Sequence, residues 1–318
     1  MTRQLSRLIL VFLTFNLSIG LAGYCHAQAK PKKGRKKIEA PPVERVLLET
    51  KDGVELQADW FGGVGGKETL PVILIHDWDS DRTALRPLAE YLQTKHGHAV
   101  ICPDLRGHGE SLYAKGYDKE LDRSRFKKTE FASMFEDIDQ CRRFLQEKND
   151  EEELNLDMLV VLACGKMNMH AASWCISDWQ WGRVGGIKQG KNVKTLIMVS
   201  PVKRFKNGHP NQIIKDQLFS GKGRSLPTLV VWGNDEPAVA DAKSIYEEMK
   251  KARDEPKYTD DDERWQNQKL FRSVYKSSES SEELLKEQGT ALFKTIALMI
   301  EKKVLLQKEL LPWQKRSE

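Results

Sequence analysis

Short apolar runs, too brief to be helices, alternate along this chain with longer stretches whose apolar residues recur three and four apart. Pro71-Val72-Ile73-Leu74-Ile75 is the clearest run, and Leu85, Leu88, Ala89 and Leu92 follow it at helical spacing up to Gly97. A continuously apolar strand has no solvent face, so it must be covered on both sides. The pairing recurs: Ala99 to Cys102, then Phe131, Met134, Phe135, Ile138, Cys141 and Leu145 on one helix face; Met158 to Ala163, then a helix from Met167 to Cys175. Thr195 to Val199, Thr228 to Trp232 and Leu270 to Tyr275 also read as strands, with helices marked by Ala242, Ile245 and Met249 and by Phe293, Ile296, Ile300 and Val304. Ahead of the series, Val43 to Glu49 and Val54 to Trp60 flank Lys51-Asp52-Gly53, whose Asp-Gly step signals a hairpin. This order predicts an α/β domain: a mostly parallel, twisted eight-stranded sheet with helices on both faces. The segment Pro201 to Pro227 is too short for a substantial cap domain, so a site at the strand ends would be open.

The 318 residues suffice for one such domain, placed at residues 43–304, with residues 305–318 as a helical extension or tail. Residues 1–29 have the form of a signal peptide: Arg3 and Arg7, an apolar stretch from Leu8 to Leu21, and small residues in Ala27-Gln28-Ala29. They predict cleavage near Ala29 and export, of the bacterial kind, to the periplasm or beyond. Residues 30–42 form a basic arm, with Lys30, Lys32, Lys33, Arg35, Lys36 and Lys37 around the helix breakers Pro31 and Gly34. Removing these six charges and the two leader arginines from the formal +5 leaves about −3 for the rest. No specific nucleic-acid binding is therefore expected of the domain; the arm reads as a solvated tether able to meet an anionic polymer or a membrane surface. Cys102, Cys141, Cys164 and Cys175 read as buried apolar residues at strand ends and on helix faces, with neither a disulfide framework nor a zinc spacing.

Three motifs carry a resemblance. Pro103-Asp104-Leu105-Arg106-Gly107-His108-Gly109-Glu110-Ser111, Leu74-Ile75-His76-Asp77-Trp78 and Val230-Val231-Trp232-Gly233-Asn234-Asp235-Glu236 resemble the post-strand loop, the oxyanion loop and the acid-bearing loop of the α/β-hydrolase family. The likeness spans roughly Val43 to Val304 and implies a Ser-His-acid hydrolase on a mostly parallel sheet. In that family the nucleophile stands on a sharp strand-to-helix turn with the pattern Gly-x-Ser-x-Gly. Here the stretch reads Ala163-Cys164-Gly165-Lys166-Met167, and aligning the following helix on Ala171 and Trp174 puts Gly165 in the serine slot. Glycine can hold the turn but carries no attacking atom. Met167 is expected to fill the space a substrate would need.

The resemblance assigns the acid to Glu236 or Asp235 and the oxyanion amides to Trp78 and Lys166. Its general base would lie in the loop Lys276-Ser277-Ser278-Glu279-Ser280-Ser281-Glu282, and no histidine occurs beyond His209. Without an imidazole a hydroxyl or buried thiol has no ordinary route to deprotonation. The expectation is a pseudo-hydrolase with a binding or structural role at the cell envelope, its partner an unknown small molecule or envelope component. The alternative is an esterase or peptidase acting on an ester or amide through Cys164, one residue from the slot.

The remaining constellations point to ordinary structure. His76 and His108 are expected to brace their loops and His170 to pack, since their spacing fits no metal-ligand pattern. Trp174, Trp179 and Trp181 read as core and interface packing, with stacking on a ligand as the sharper possibility. Asp260-Asp261-Asp262-Glu263 lacks the ligand alternation of a calcium loop and reads as solvated. No cofactor or metal is implied.

Overall fold

The computed structural model describes residues 39–116, 119–206, 210–221, 225–253 and 256–317; the expected leader, residues 30–38 of the expected arm and His209 lie outside them. The opening hairpin pairs β1 (Val43–Glu49) with β2 (Val54–Phe61), and Gly53 adopts the positive φ that its turn requires. Then follow β3 (Pro71–Ile75), α1 (Arg86–His96), β4 (Ala99–Pro103), a two-residue β5 (Tyr113–Ala114), α2 (Lys128–Asp150), β6 (Leu159–Cys164) and α3 (Asn168–Gln180). A small hairpin, β7 (Arg183–Val184) and β8 (Ile187–Lys188), leads to β9 (Val193–Val199) and two short helices, α4 (Pro210–Lys215) and α5 (Gln217–Ser220). The chain closes with β10 (Thr228–Gly233), α6 (Val239–Arg253), α7 (Asp261–Asn267), β11 (Leu270–Tyr275), α8 (Ser281–Gln288) and α9 (Thr290–Lys303).

The main sheet runs β1-β2-β4-β3-β6-β9-β10-β11, the eight expected strands, with β5 as a short ninth strand on β2. From β4 to β11 all neighbours are parallel; the pairs made by β2 are antiparallel. Side-chain alternation divides the central strands between two cores. Ile73, Ile75, Val161, Ala163 and Met198 join Phe131, Met134, Trp174 and Ile245 of α2, α3 and α6. Val72, Leu74, Val160, Leu162 and Val199 join Leu88, Leu92, Phe293, Ile296 and Ile300 of α1 and α9. Each fully buried aliphatic or aromatic side chain of this kind contributes about 1.5–3 kcal/mol.

Three expectations need correction. The helix after Gly165 extends to Gln180 rather than stopping at Cys175, because Asp178 is held inside by Asn192 and the Val193 amide and so does not terminate it. The loop after β11 gives way at Ser281 to α8. The acidic run is the start of α7: Asp260 accepts from the Glu263 amide at 2.8 Å, and the next three acids lie at the end of the helix where negative charge is favoured. Between Pro201 and Pro227 the described residues form only α4 and α5.

Candidate functional site

The strand order turns at β3 and β6: the chain leaves β3 toward β4 on one side, and later builds outward from β6 on the other. Loops that leave two such neighbouring strands diverge and open a crevice at their C-terminal ends. Asp77 follows β3 there, and Gly165 follows β6.

The supporting loop is heavily cross-linked. Asp104 accepts from the amides of Arg82 and Glu110, each at 2.8 Å, and pairs with the Arg82 guanidinium, which also reaches Asp59 at 3.1 Å. Arg106 bonds Asp137 at 2.8 Å and Asp52 at 2.5 Å. His76 receives the Leu105 amide on Nε2 at 3.0 Å, which leaves Nδ1 to donate to the Asp77 carbonyl at 2.7 Å. His108 lies between the carbonyls of Arg106 and Trp78, at 2.9 and 2.8 Å. Burial above all, with His108 alongside, lowers the His76 pKa to about 3, so that ring is a neutral brace.

Gly165 has φ +51°, the left-handed conformation a tight turn demands. A Cβ added there would overlap the Asp77 carboxylate. Asp77 Oδ1 accepts from the Trp78 and Lys166 amides, both at 2.7 Å, and these are the two amides that the resemblance assigns to an oxyanion hole. Ser281 donates its hydroxyl to Oδ2 at 2.9 Å. The start of α3 adds the positive end of its dipole. The space beside Gly165 is thus filled by Asp77, not by Met167, whose side chain is wholly buried in the core under α2 and α3. A signal for this was present: the oxyanion loop of the resembled family begins His-Gly, whereas here His76 is followed by Asp77 and the serine slot holds Gly165.

The loop expected to hold a base supplies Glu282 instead. Its Oε1 accepts the Asp77 amide at 2.6 Å, and the side chain lies against Cys164. Burial pushes Glu282 up to about 7; the Asp77 amide opposes this and the Asp77 carboxylate adds to it. Cys164 is wholly buried, and burial together with the Glu282 and Asp77 charges pushes its thiol well up. Cys102, Cys141 and Cys175 are likewise buried free thiols.

Of the two acid candidates, Asp235 is exposed and Glu236 is buried. Glu236 Oε2 accepts from the Ser200 hydroxyl at 2.7 Å and the Gly233 amide at 2.9 Å, whereas Oε1 has no partner among the described residues. Burial raises its pKa. Ser200 and Ser281 both have positive φ, +47° and +52°, a strained conformation for serine that aims each hydroxyl at a carboxylate.

Lys166 leads outward from this centre. Its ammonium pairs with Asp79 and lies 5.5 Å from the centre of the Phe205 ring. It lines a cavity of about 680 Å³ between α2, α3, α4 and the segment after β9, with Phe131, Phe135, Phe205 and His170. Trp78 packs behind it, 5.0 Å from Phe205 and 5.9 Å from Phe131. His170 is kept neutral by burial, its pKa lowered to about 4. Trp174 is core, and Trp179 bonds the Val193 carbonyl at 2.9 Å. Among the described residues no group of three or more His, Cys, Asp or Glu is arranged to hold a metal.

The chain matches no protein-family model and no curated protein in sequence. Among solved structures it is similar to an esterase of Pyrococcus furiosus, with TM-score 0.56 and 16% identity over 83% of this chain and 92% of that one. An esterase of Pyrobaculum calidifontis gives 0.57 and 13% over 82% and 86%. A thermostable carboxylesterase cloned from a metagenomic library gives 0.57 and 14% over 84% and 91%. At such identities the likeness is one of architecture: the chain has the mixed, mostly parallel fold of the α/β-hydrolase esterases.

Proposed function

We propose that this chain is an exported α/β-hydrolase-fold protein that binds a ligand at the cell envelope without hydrolysing it. The observation that carries the reading is the Asp77 carboxylate. It accepts from both amides that an acyl oxyanion would need, and it stands against Gly165 where a nucleophile's side chain would begin. A substrate carbonyl would have to displace a charged acceptor from two aligned N–H donors, an exchange of a strong interaction for a weaker one. Glu282, which keeps its proton to about pH 7, stands where the resemblance places the base.

The competing reading, ester or amide hydrolysis through Cys164, draws on the esterase-like fold. The burial of that thiol and its raised pKa leave it without the thiolate character such chemistry needs. The test is to incubate the full chain with short aryl esters, a fluorophosphonate and iodoacetamide under native conditions. Turnover at the buffer rate and no stoichiometric labelling are expected. Ester turnover together with labelling at a single residue would overturn the proposal.

A further inference from the structure

The cavity beside Lys166 has an unusual lining. Lys128, Lys166, Lys203 and Lys206 contribute to it, and no acidic side chain does among the described residues. The apolar part is formed by rings, with Phe131 and Phe205 meeting edge to face at 5.6 Å. A second cavity of about 560 Å³ shares Lys203 and adds Arg204, Lys215 and Lys251. Among the described residues its one acid, Glu248, is paired with Lys203. Without the leader and arm cations the chain carries about −3, so this concentration of cations runs against its overall balance. Solvated lysines at a rim are common; here Lys166 and Lys206 lie over aromatic rings, an arrangement suited to a ligand with an apolar body and an anionic end.

The filled centre narrows the choice of ligand. Asp77 already occupies the backbone donors of the crevice, so a ligand's charged group has to be met by side chains. His170 is neutral, directs one nitrogen to the Met134 backbone and leaves Nε2 without a partner among the described residues. A neutral imidazole supplies no counter-charge, so a ligand's anionic group falls to the lining lysines, Lys166, Lys203 and Lys206. Lys206 is already drawn over the Trp78 ring, 5.2 Å from its centre.

We infer that this cavity binds a small amphiphilic carboxylate, its apolar chain or ring against Phe131, Phe135 and Phe205 and its carboxylate at Lys166, Lys203 and Lys206. The inference rests on the non-hydrolytic reading, and one pair of probes separates the two. The full chain is titrated with 11-(dansylamino)undecanoic acid and with its methyl ester, following dansyl fluorescence, while the ester is checked by chromatography for conversion to the acid. The acid should bind at least roughly tenfold more tightly than the intact ester, the sum of three partly exposed charge contacts. Its affinity should fall between about 20 and about 300 mM salt while that of the ester stays level. In the Lys166→Ala/Lys206→Ala variant the acid should lose most of that preference. Equal binding of acid and ester by the wild-type protein, or binding of neither, would overturn the inference whatever the variant does. Conversion of the ester would overturn the non-hydrolytic reading alone.

Discussion

Asp77 and Glu236 both stand at the C-terminal edge of the sheet, and both receive a hydroxyl from a serine with positive φ, yet they are satisfied very differently. Asp77 distributes three donors over its two oxygens. Glu236 takes two donors on Oε2, while Oε1 faces none among the described residues. A fully bonded carboxylate knits its surroundings together, whereas a half-bonded one in a buried place favours its protonated form. The Asp77 centre is therefore expected to behave as structure, tightly coupled to its neighbours. The Glu236 site is expected to tolerate change.

The largest effect expected from this contrast is at Gly165. Gly165→Ser should destabilise the protein by about 2–4 kcal/mol in urea unfolding, since it introduces both a strained φ and an overlap with Asp77. Asp77→Gly in the same chain should recover about 1–3 kcal/mol of that loss, a coupling that a double-mutant cycle measures directly. Additive behaviour would break the comparison. Next in size, Asp77→Ala leaves the Trp78 and Lys166 amides without an acceptor and should cost about 1–3 kcal/mol; Asp77→Asn, which keeps one carbonyl oxygen, should cost less.

Glu282 sharpens the contrast through pH. Its folded pKa of about 7 lies above the ordinary glutamate value, so the folded chain binds more protons than the unfolded one between the two. Stability should accordingly fall as pH rises through that window and level off above about 7. Glu282→Gln removes the titration, so its Tm relative to wild type should rise between about pH 5 and about pH 8. A constant difference would mean that Glu282 is ionised throughout. The smallest effect is expected at Glu236→Gln, within about 1 kcal/mol at neutral pH, because the amide oxygen keeps the acceptor that Ser200 and Gly233 use while a carboxylate charge that burial disfavours is removed.

The strand and helix order was legible in the sequence because apolar periodicity records burial directly; Val72 to Ile75 could be nothing but a covered strand. The Gly165 turn and the Glu236 position were legible too, since each follows a recognisable strand. The role of Asp77 was only half legible: an aspartate where the resemblance has a glycine marks the position, but carries no mark of where its carboxylate points. That depends on β3 and β6 lying side by side, a non-local fact. Ser281 and Glu282 were hidden for a related reason: a run of serines and glutamates reads as solvated loop, and only the docking of α8 turns it inward. The lysine-lined cavity gathers residues from four separate segments, none of which stands out alone.

The overlap between position 165 and the Asp77 carboxylate also imposes an order on descent. A chain with this centre cannot acquire a serine at 165 first, because that intermediate carries the clash. It must lose the carboxylate at 77 beforehand, and that step by itself offers selection only a looser protein. Two neighbouring positions 88 residues apart in sequence thus form a ratchet: ordinary single substitutions lead away from the starting state far more readily than back to it.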